Sequence, residues 1–221
     1  SPMYGSSEEV IGHCLKQIGK TPDLFRATKV WTPWGESGAK QVKTSQNLWG
    51  IKKFDLEQVH NLVSWEKHLK MLFDMKKKGE LRYVGVTTSH GRRHDDFVQV
   101  MKSGPLDFIQ VTYNILDRDV EKEILPLAQK KRMAVIANRP FRTKDLIYKF
   151  QDKPLPPWAS EIDCENWPQF LLKFIISHPT ITCAIPATSQ VEHMRENMQA
   201  GRGKMPDEKM RQKMIKYVES L

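Results

Sequence analysis

Residues 54–87 read FDLEQVHNLVSWEKHLKMLFDMKKKGELRYVGVT, and this stretch decides the fold. Phe54 to Val59 alternates apolar and polar side chains with the period of two that marks a strand. From Trp65 to Lys78 the apolar residues recur at helical spacing, and Lys76, Lys77 and Lys78 stand where cations complement the carbonyl end of a helix. Tyr83 to Val86 is a second short apolar run. Strand, helix and strand within roughly 30 residues form a βαβ unit, whose two strands lie parallel in one sheet.

The same alternation extends in both directions. Upstream, a helix is predicted over Glu8 to Ile18, a strand over Leu24 to Val30 and a helix over Lys40 to Trp49. Downstream, the predicted order is helix Asp95 to Lys102, strand Phe108 to Val111, helix Val120 to Lys131 and strand Ala134 to Ala137. An irregular stretch rich in Pro and Trp, Lys153 to Trp158, is short enough to be a loop. A helix over Trp167 to Ser177, a strand over Thr182 to Ile185 and helices over Val191 to Ala200 and Pro206 to Ser220 complete the series. Six strands, each followed by a helix, imply an α/β fold with a parallel sheet covered by helices, either an open doubly wound sheet or a closed barrel. Neither GxGxxG nor GxxxxGK[ST] occurs, so the glycine signatures of open nucleotide-binding sheets are absent. The choice of a (β/α)8 TIM barrel rests on where the reactive residues fall, because barrel chemistry gathers at the C-terminal strand ends. Lys29, His60, Thr87, Thr88, Gln110, Asn138, Arg139 and Thr188 sit at or just beyond the six predicted strand ends. No repeat or linker divides the chain, so residues 1–221 are read as a single domain.

Composition narrows the function classes. The formal net charge is +9, from 35 Lys and Arg against 26 Asp and Glu, but the basic residues are spread along the chain among acids. That pattern makes a nucleic-acid reading weak, and it suits a smaller anionic partner such as a phosphorylated cofactor as well, so charge alone does not choose between them. Three distant cysteines, Cys14, Cys164 and Cys183, with no CxxC, argue against a disulfide framework or a zinc site, and no metal is expected. No apolar run approaches the ~20 residues of a bilayer span, and SPMYGSSEEV lacks the basic and apolar regions of a secretion signal. The expectation is a soluble cytoplasmic protein without a membrane partner.

Taken singly, the candidate residues have ordinary readings. A lysine after a strand is usually a solvated rim residue, a histidine behind an apolar run is usually structural, and Tyr4 in SPMYGSSE is a turn aromatic. As an ordered set they resemble the aldo-keto reductases. The resembling segments are Met3 to Glu8 with Ile11-Gly12, Ala27-Thr28-Lys29-Val30, Phe54 to His60, Gly79 to Thr87, Phe108-Ile109-Gln110, Ile185 to Thr188, and Glu196-Asn197. The resemblance runs over essentially the whole chain.

It implies a reductase that moves a hydride from NADPH to an aldehyde or ketone. Protonating a carbonyl oxygen needs a positioned donor, and tyrosine, with an ordinary pKa near ~10, needs a cation to stabilise its phenolate. By resemblance Tyr4 is the general acid, Lys29 tunes it and His60 orients the carbonyl. The carboxamide-binding set maps onto Thr87, Thr88 and Gln110, with Thr88 where the family has Asn. Arg139 is placed beside the diphosphate by its charge and position, and Thr188 precedes a helix N-terminus suited to a phosphate. His193, with Arg195 nearby, aligns with the arginine that meets the 2′-phosphate, and Glu196 and Asn197 match the adenine-contacting pair. Asn138 occupies a position that often carries a stacking aromatic.

The family's catalytic Asp lies five residues before the Tyr, a position ahead of Ser1. The chain is therefore expected to begin inside that motif, with roughly the first βαβ segment of the barrel missing. Two other readings remain open: a cofactor-binding, non-catalytic barrel acting as a sensor or subunit, and a Schiff-base lyase using Lys29. The loops 31–38, 64–65 and 142–167 are rich in Trp, Phe and Pro, which points to an apolar or aromatic substrate pocket.

Overall fold

The computed structural model describes residues 1–32 and 37–221, so the middle of loop 31–38 lies outside the described residues. Six strands run in the order β1-β2-β3-β4-β5-β6: β1 (Ala27–Val30), β2 (Phe54–Val59), β3 (Leu81–Thr87), β4 (Phe108–Thr112), β5 (Ala134–Asn138) and β6 (Cys183–Ala184). The helices are α1 (Ser7–Ile18), α2 (Gly38–Trp49), α3 (Trp65–Lys77), α4 (His94–Ser103), α5 (Ile124–Lys131), α6 (Asp145–Phe150), α7 (Trp167–Ile176), α8 (Val191–Gln199) and α9 (Glu208–Glu219). The chain forms two compact units, residues 1–88 with 103–109 and residues 89–102 with 110–221.

In the first unit β1, β2 and β3 pair in parallel, with Thr28 opposite Glu57, Lys29 opposite Gln58, and Gln58 opposite Gly85. Matched residues of parallel strands share a face, so Thr28, Glu57 and Val84 form one row and Lys29, Gln58 and Gly85 the other. Val30, Val59, Val84 and Val86 are buried, as are Val42 and Trp49 of α2 and Leu69 and Leu72 of α3. Trp49 meets Phe54 edge-on at 5.2 Å between ring centroids. Two glycines permit close approach. A Cβ on Gly12 of α1 would stand 1.8 Å from the carbonyl oxygen of Leu48 in α2, and one on Gly85 would stand 2.6 Å from that of Phe108. Lys76 does not simply point into solvent at its helix end: its Nζ donates to both carboxylate oxygens of Asp107 at 2.6 Å, and Asp107 also accepts from the Val84 amide at 2.8 Å.

The second unit is organised around the parallel pair β5 and β6, with Ile136 opposite Cys183. Its core holds Tyr113, Val135, Phe170 and Phe174, all fully buried. A buried cation ties α9 to this core. Arg211 donates to Tyr113 Oη at 2.6 Å and to the Phe174 carbonyl, and its guanidinium lies 4.3 Å above the Phe174 ring. Tyr113 in turn donates to Glu121 at 2.5 Å. Lys173 of α7, fully buried, donates to the carbonyls of Arg202 at 2.6 Å and Lys204 at 3.0 Å. The uncapped amide ends of α7 and α9 are closed by Asn166 and Asp207, whose side chains accept from Gln169 and Met210.

The predicted helix over Val120 to Lys131 is instead a 3₁₀ turn at Asp119–Glu121 followed by α5. Pro126 has no N–H to offer the carbonyl of Lys122 and its ring crowds that group, so an α-helix cannot continue through from residue 120. The segment after β5 also holds a helix, α6, where none was predicted; six residues with Leu146 and Phe150 buried leave too short a pattern to register as a helix.

Candidate active site

Tyr4, Lys29 and His60 come together in the first unit. Lys29 is the penultimate residue of β1, and His60 follows the last residue of β2 directly. Tyr4 ends a 3₁₀ turn, Pro2–Tyr4, that leads into α1 through Gly5 at φ 58°. Its hydroxyl is 3.3 Å from Nε2 of His60, and the two rings are 5.5 Å apart. Nζ of Lys29 lies 5.6 Å from the centroid of the Tyr4 ring. On the other side of the imidazole, Ser1 Oγ is 3.1 Å from Nδ1. The turn after His60 is strained, with Asn61, Leu62 and Ser64 at φ 53°, 56° and 46°. Asn61 is pinned there by donating its amide to Thr87 Oγ1 at 3.0 Å, which links the ends of β2 and β3.

Burial sets the electrostatics of this group. His60 is held neutral, its pKa pushed down to about 4 by burial and then by the Lys29 charge. Burial also lowers the Lys29 pKa, against the opposing pull of Glu57 and then Glu8. Burial raises the Tyr4 pKa.

Two carboxyl groups beside Lys29 are additions that the sequence pattern did not single out as site residues. Glu8, buried in α1, accepts from Thr28 Oγ1 at 2.8 Å and from Ser45 Oγ at 3.0 Å, and lies 3.4 Å from the Ser1 nitrogen. Glu57 of β2 is 1% exposed and its two carboxyl oxygens make no hydrogen bond to the described residues. Glu57 carried no separate signal, because it occupies a polar position of the alternating strand FDLEQV.

The remaining candidates divide between the units. Thr87 and Thr88 are buried at the end of β3 in the first. In the second, Gln110 is buried in β4, and Asn138, at the end of β5, accepts from Thr112 Oγ1 at 2.7 Å. Arg139 follows at φ 51°, half-buried, with its carbonyl accepting from Asn114 Nδ2 at 3.1 Å. Thr188 Oγ1 accepts from the Gln190 amide at 3.1 Å just ahead of α8, whose N-cap residue Gln190 makes no side-chain cap bond. His193 and Arg195 are exposed on α8, Arg195 at 3.5 Å from Glu192. Glu196 accepts from Asn166 Nδ2 at 2.7 Å, so one of its oxygens is bound to the residue capping α7, and Asn197 is buried. A groove of about 700 Å³ between α2 and α3 is lined by Lys43, Lys52, Lys53, Lys67 and Lys70, and none of the candidate residues lines it.

This arrangement suits proton donation to a carbonyl oxygen, with a protonated phenol and a neutral imidazole on one side of the sheet's strand ends. In comparison with known proteins, residues 1–216 match the aldo/keto reductase family. The chain belongs to that family. Among aldo/keto reductases, it is 27% identical over 146 residues to the aldo-keto reductase YhdN of Bacillus subtilis, an alignment covering 60% of this chain and 43% of YhdN. It is 25% identical over 206 residues to the methylglyoxal reductase YeaE of Escherichia coli, covering 88% of this chain and 70% of that protein. A Klebsiella pneumoniae aldo/keto reductase, solved in complex with NADP and acetate, superposes with a TM-score of 0.78 at 21% identity, over 95% of this chain and 75% of that one. The fold is thus that of the (β/α)8 aldo/keto reductase barrels, with six strands among the described residues. No group of three or more metal-ligating side chains occurs among the described residues, and no described helix is long and apolar enough to cross a membrane.

Proposed function

We propose that this protein reduces small aldehydes or ketones to alcohols, with NADPH as the hydride source. The observation that carries the reading is the 3.3 Å approach of the Tyr4 hydroxyl to His60 Nε2, with Lys29 Nζ 5.6 Å from the same ring. Tyr4, whose ordinary pKa near ~10 already keeps it protonated at neutral pH and is raised further by burial, passes that proton to the carbonyl oxygen as negative charge develops there. His60, neutral at the same pH, takes the proton of Ser1 Oγ as a hydrogen bond at Nδ1 and presents Nε2–H to the substrate oxygen. Lys29 compensates the phenolate that Tyr4 leaves behind.

The donor set fits a nicotinamide dinucleotide. The α8 N-terminus lacks a side-chain cap, which leaves its amides to an anion, and Arg139 follows a strand end, donating to Thr143 Oγ1 at 3.4 Å with its charge also felt by Asp117. In this reading Thr87, Thr88 and Gln110 hold the carboxamide, Arg139 the diphosphate, Thr188 and His193 the adenosine phosphate side, and Glu196 and Asn197 the adenine. When bound, the nicotinamide supplies the hydride. Residues 1–221 act as one barrel domain, in the cytoplasm, without nucleic acid or membrane partners.

A 340 nm assay of NADPH oxidation with methylglyoxal and a panel of aromatic aldehydes tests the reading. Turnover that disappears in Tyr4→Phe supports it. Cofactor binding without turnover on any carbonyl would point to the non-catalytic alternative, and borohydride trapping of substrate on Lys29 to the lyase.

A further inference from the structure

The basic residues are scattered along the sequence, but folding gathers six of them around the groove of about 700 Å³ between α2 and α3. Its α2 wall is the helical face of Val42, Lys43 and Gln46. The α3 wall is a second helical face, of Lys67, Lys70, Met71, Met75 and Lys78. Lys52 and Lys53, on the segment between α2 and β2, add two more cations. All six lysines are exposed and none forms an ion pair among the described residues. The acids lining the groove are Asp74 and Glu80 alone. Its deeper lining is apolar, with Val42 buried and Met71 and Met75 half-buried.

We propose that this groove is a docking site for an acidic amphipathic helix of a partner protein, its apolar stripe seated on Val42, Met71 and Met75 and its carboxylates among the lysines. Like charges held together with few counter-charges repel one another, and an acidic occupant relieves that repulsion. Methionine is pliable and packs against apolar side chains of varied shape, as helix-binding grooves require. The α3 wall from Lys67 to Lys78 spans about 16 Å at ~1.5 Å per residue, the length of about three helical turns. A polyphosphate or nucleic acid has use for the cations but none for the Met and Val lining. The groove also offers no aromatic ring for a base to stack on and no arginine fork for a phosphate. A second copy of this chain is mismatched in charge, since each carries a formal +9. None of the residues placed in the reductase site lines the groove, so the docking site stands independently of the function proposed above.

Fluorescence anisotropy of the full chain with a labelled peptide of about 14 residues, built from Glu with Leu at helical spacing, tests the inference. A scrambled peptide of the same composition, polyphosphate and a single-stranded oligonucleotide are the comparison ligands. The patterned peptide should bind at least about tenfold more tightly than the scrambled one. Its affinity should fall about tenfold or more in Lys67→Glu with Lys70→Glu, and likewise in Lys52→Glu with Lys53→Glu, which are exposed changes at two places on the groove. Lys77→Glu, at an exposed lysine of α3 that does not line the groove, should leave it within about twofold. Absence of binding, or affinity unchanged in the groove variants, would overturn the inference. Equal binding of the two peptides, or an equal loss in Lys77→Glu, would overturn it by showing attraction to net charge alone. Tighter binding of polyphosphate or the oligonucleotide would assign the groove to phosphates, and dimerisation lost in the groove variants would assign it to a second copy; either result overturns the proposal.

Discussion

The hydroxyl of Tyr4 and Nε2 of His60 stand 3.3 Å apart although 56 residues separate them in the chain. Tyr4 is carried on a turn ahead of α1 and His60 on the strained turn after β2, so the pair depends on packing of α1 against the sheet and not on either local segment. Two groups able to hold or present a proton to one oxygen is the arrangement that carbonyl reduction requires. Tyr4→Phe removes the proton donor and leaves the ring in place. Reduction should fall by about 10² to 10⁴-fold while the dissociation constant for NADPH, read from quenching of tryptophan fluorescence, changes less than twofold. Retention of a tenth or more of wild-type turnover would remove Tyr4 from the reaction.

Burial of His60 and Glu57 gives stability an acid side and an alkaline side of opposite origin. His60 titrates near 4 when folded and near 6.5 when free, so between these values the unfolded chain binds more protons and stability falls as the pH is lowered. Glu57 titrates near 8 when folded and near 4.5 when free, so between these values the folded chain binds more protons and stability falls as the pH is raised. Glu57→Gln abolishes the second effect. Its melting temperature should match the wild type at pH 5 and exceed it by about 5–10 °C at pH 8. A difference independent of pH would show that Glu57 does not change protonation on unfolding.

Much of this was legible in the sequence, for identifiable reasons. Strand β2 and the start of α3 fall where the alternation in FDLEQVH and the helical spacing after Trp65 place them, because short-range periodicity reports directly on which face is covered. Tyr4, Lys29 and His60 were legible as an ordered set of reactive residues at strand ends. Glu57 was not. In an alternating strand a charged residue reads as the solvent-facing member, but a parallel sheet is covered on both faces, so the polar position of the pattern is buried as well. The division of residues 119–131 was hidden for another reason: apolar spacing continues across it, and only the proline at position 126 records that the backbone cannot.

The contact between α1 and α2 has no room for even one added carbon at Gly12. A Cβ there would stand 1.8 Å from the Leu48 carbonyl oxygen, a backbone atom that cannot rotate away, so the two helices must separate. Since α1 also carries Glu8 and follows Tyr4 directly, separation disturbs the candidate site as well as the core. Gly12→Ala should destabilise the protein by about 1–3 kcal/mol in urea titration and reduce carbonyl turnover disproportionately to the small loss of folded population. An unchanged midpoint would mean that α1 packs against α2 with more clearance than this.

Arg211 holds the second unit together by a different means. Its guanidinium is 3% exposed at the side chain, donates to Tyr113 and the Phe174 carbonyl, and lies 3.5 Å from Glu121. Replacing it with methionine preserves much of the apolar stem but leaves the buried Phe174 carbonyl without its donor, while Glu121, one-third exposed, keeps water and the Tyr113 hydroxyl. A cost of about 1–3 kcal/mol follows from the buried group left unsatisfied. The companion change Glu121→Gln should cost less, because Glu121 is one-third exposed and Arg211 keeps its bonds to Tyr113 and to the backbone. Urea titrations of Arg211→Met, Glu121→Gln and the double variant measure both costs and their coupling. Additive costs, with no coupling between positions 211 and 121, would show that Arg211 acts through the Phe174 carbonyl and the aromatic ring and not through the carboxylate.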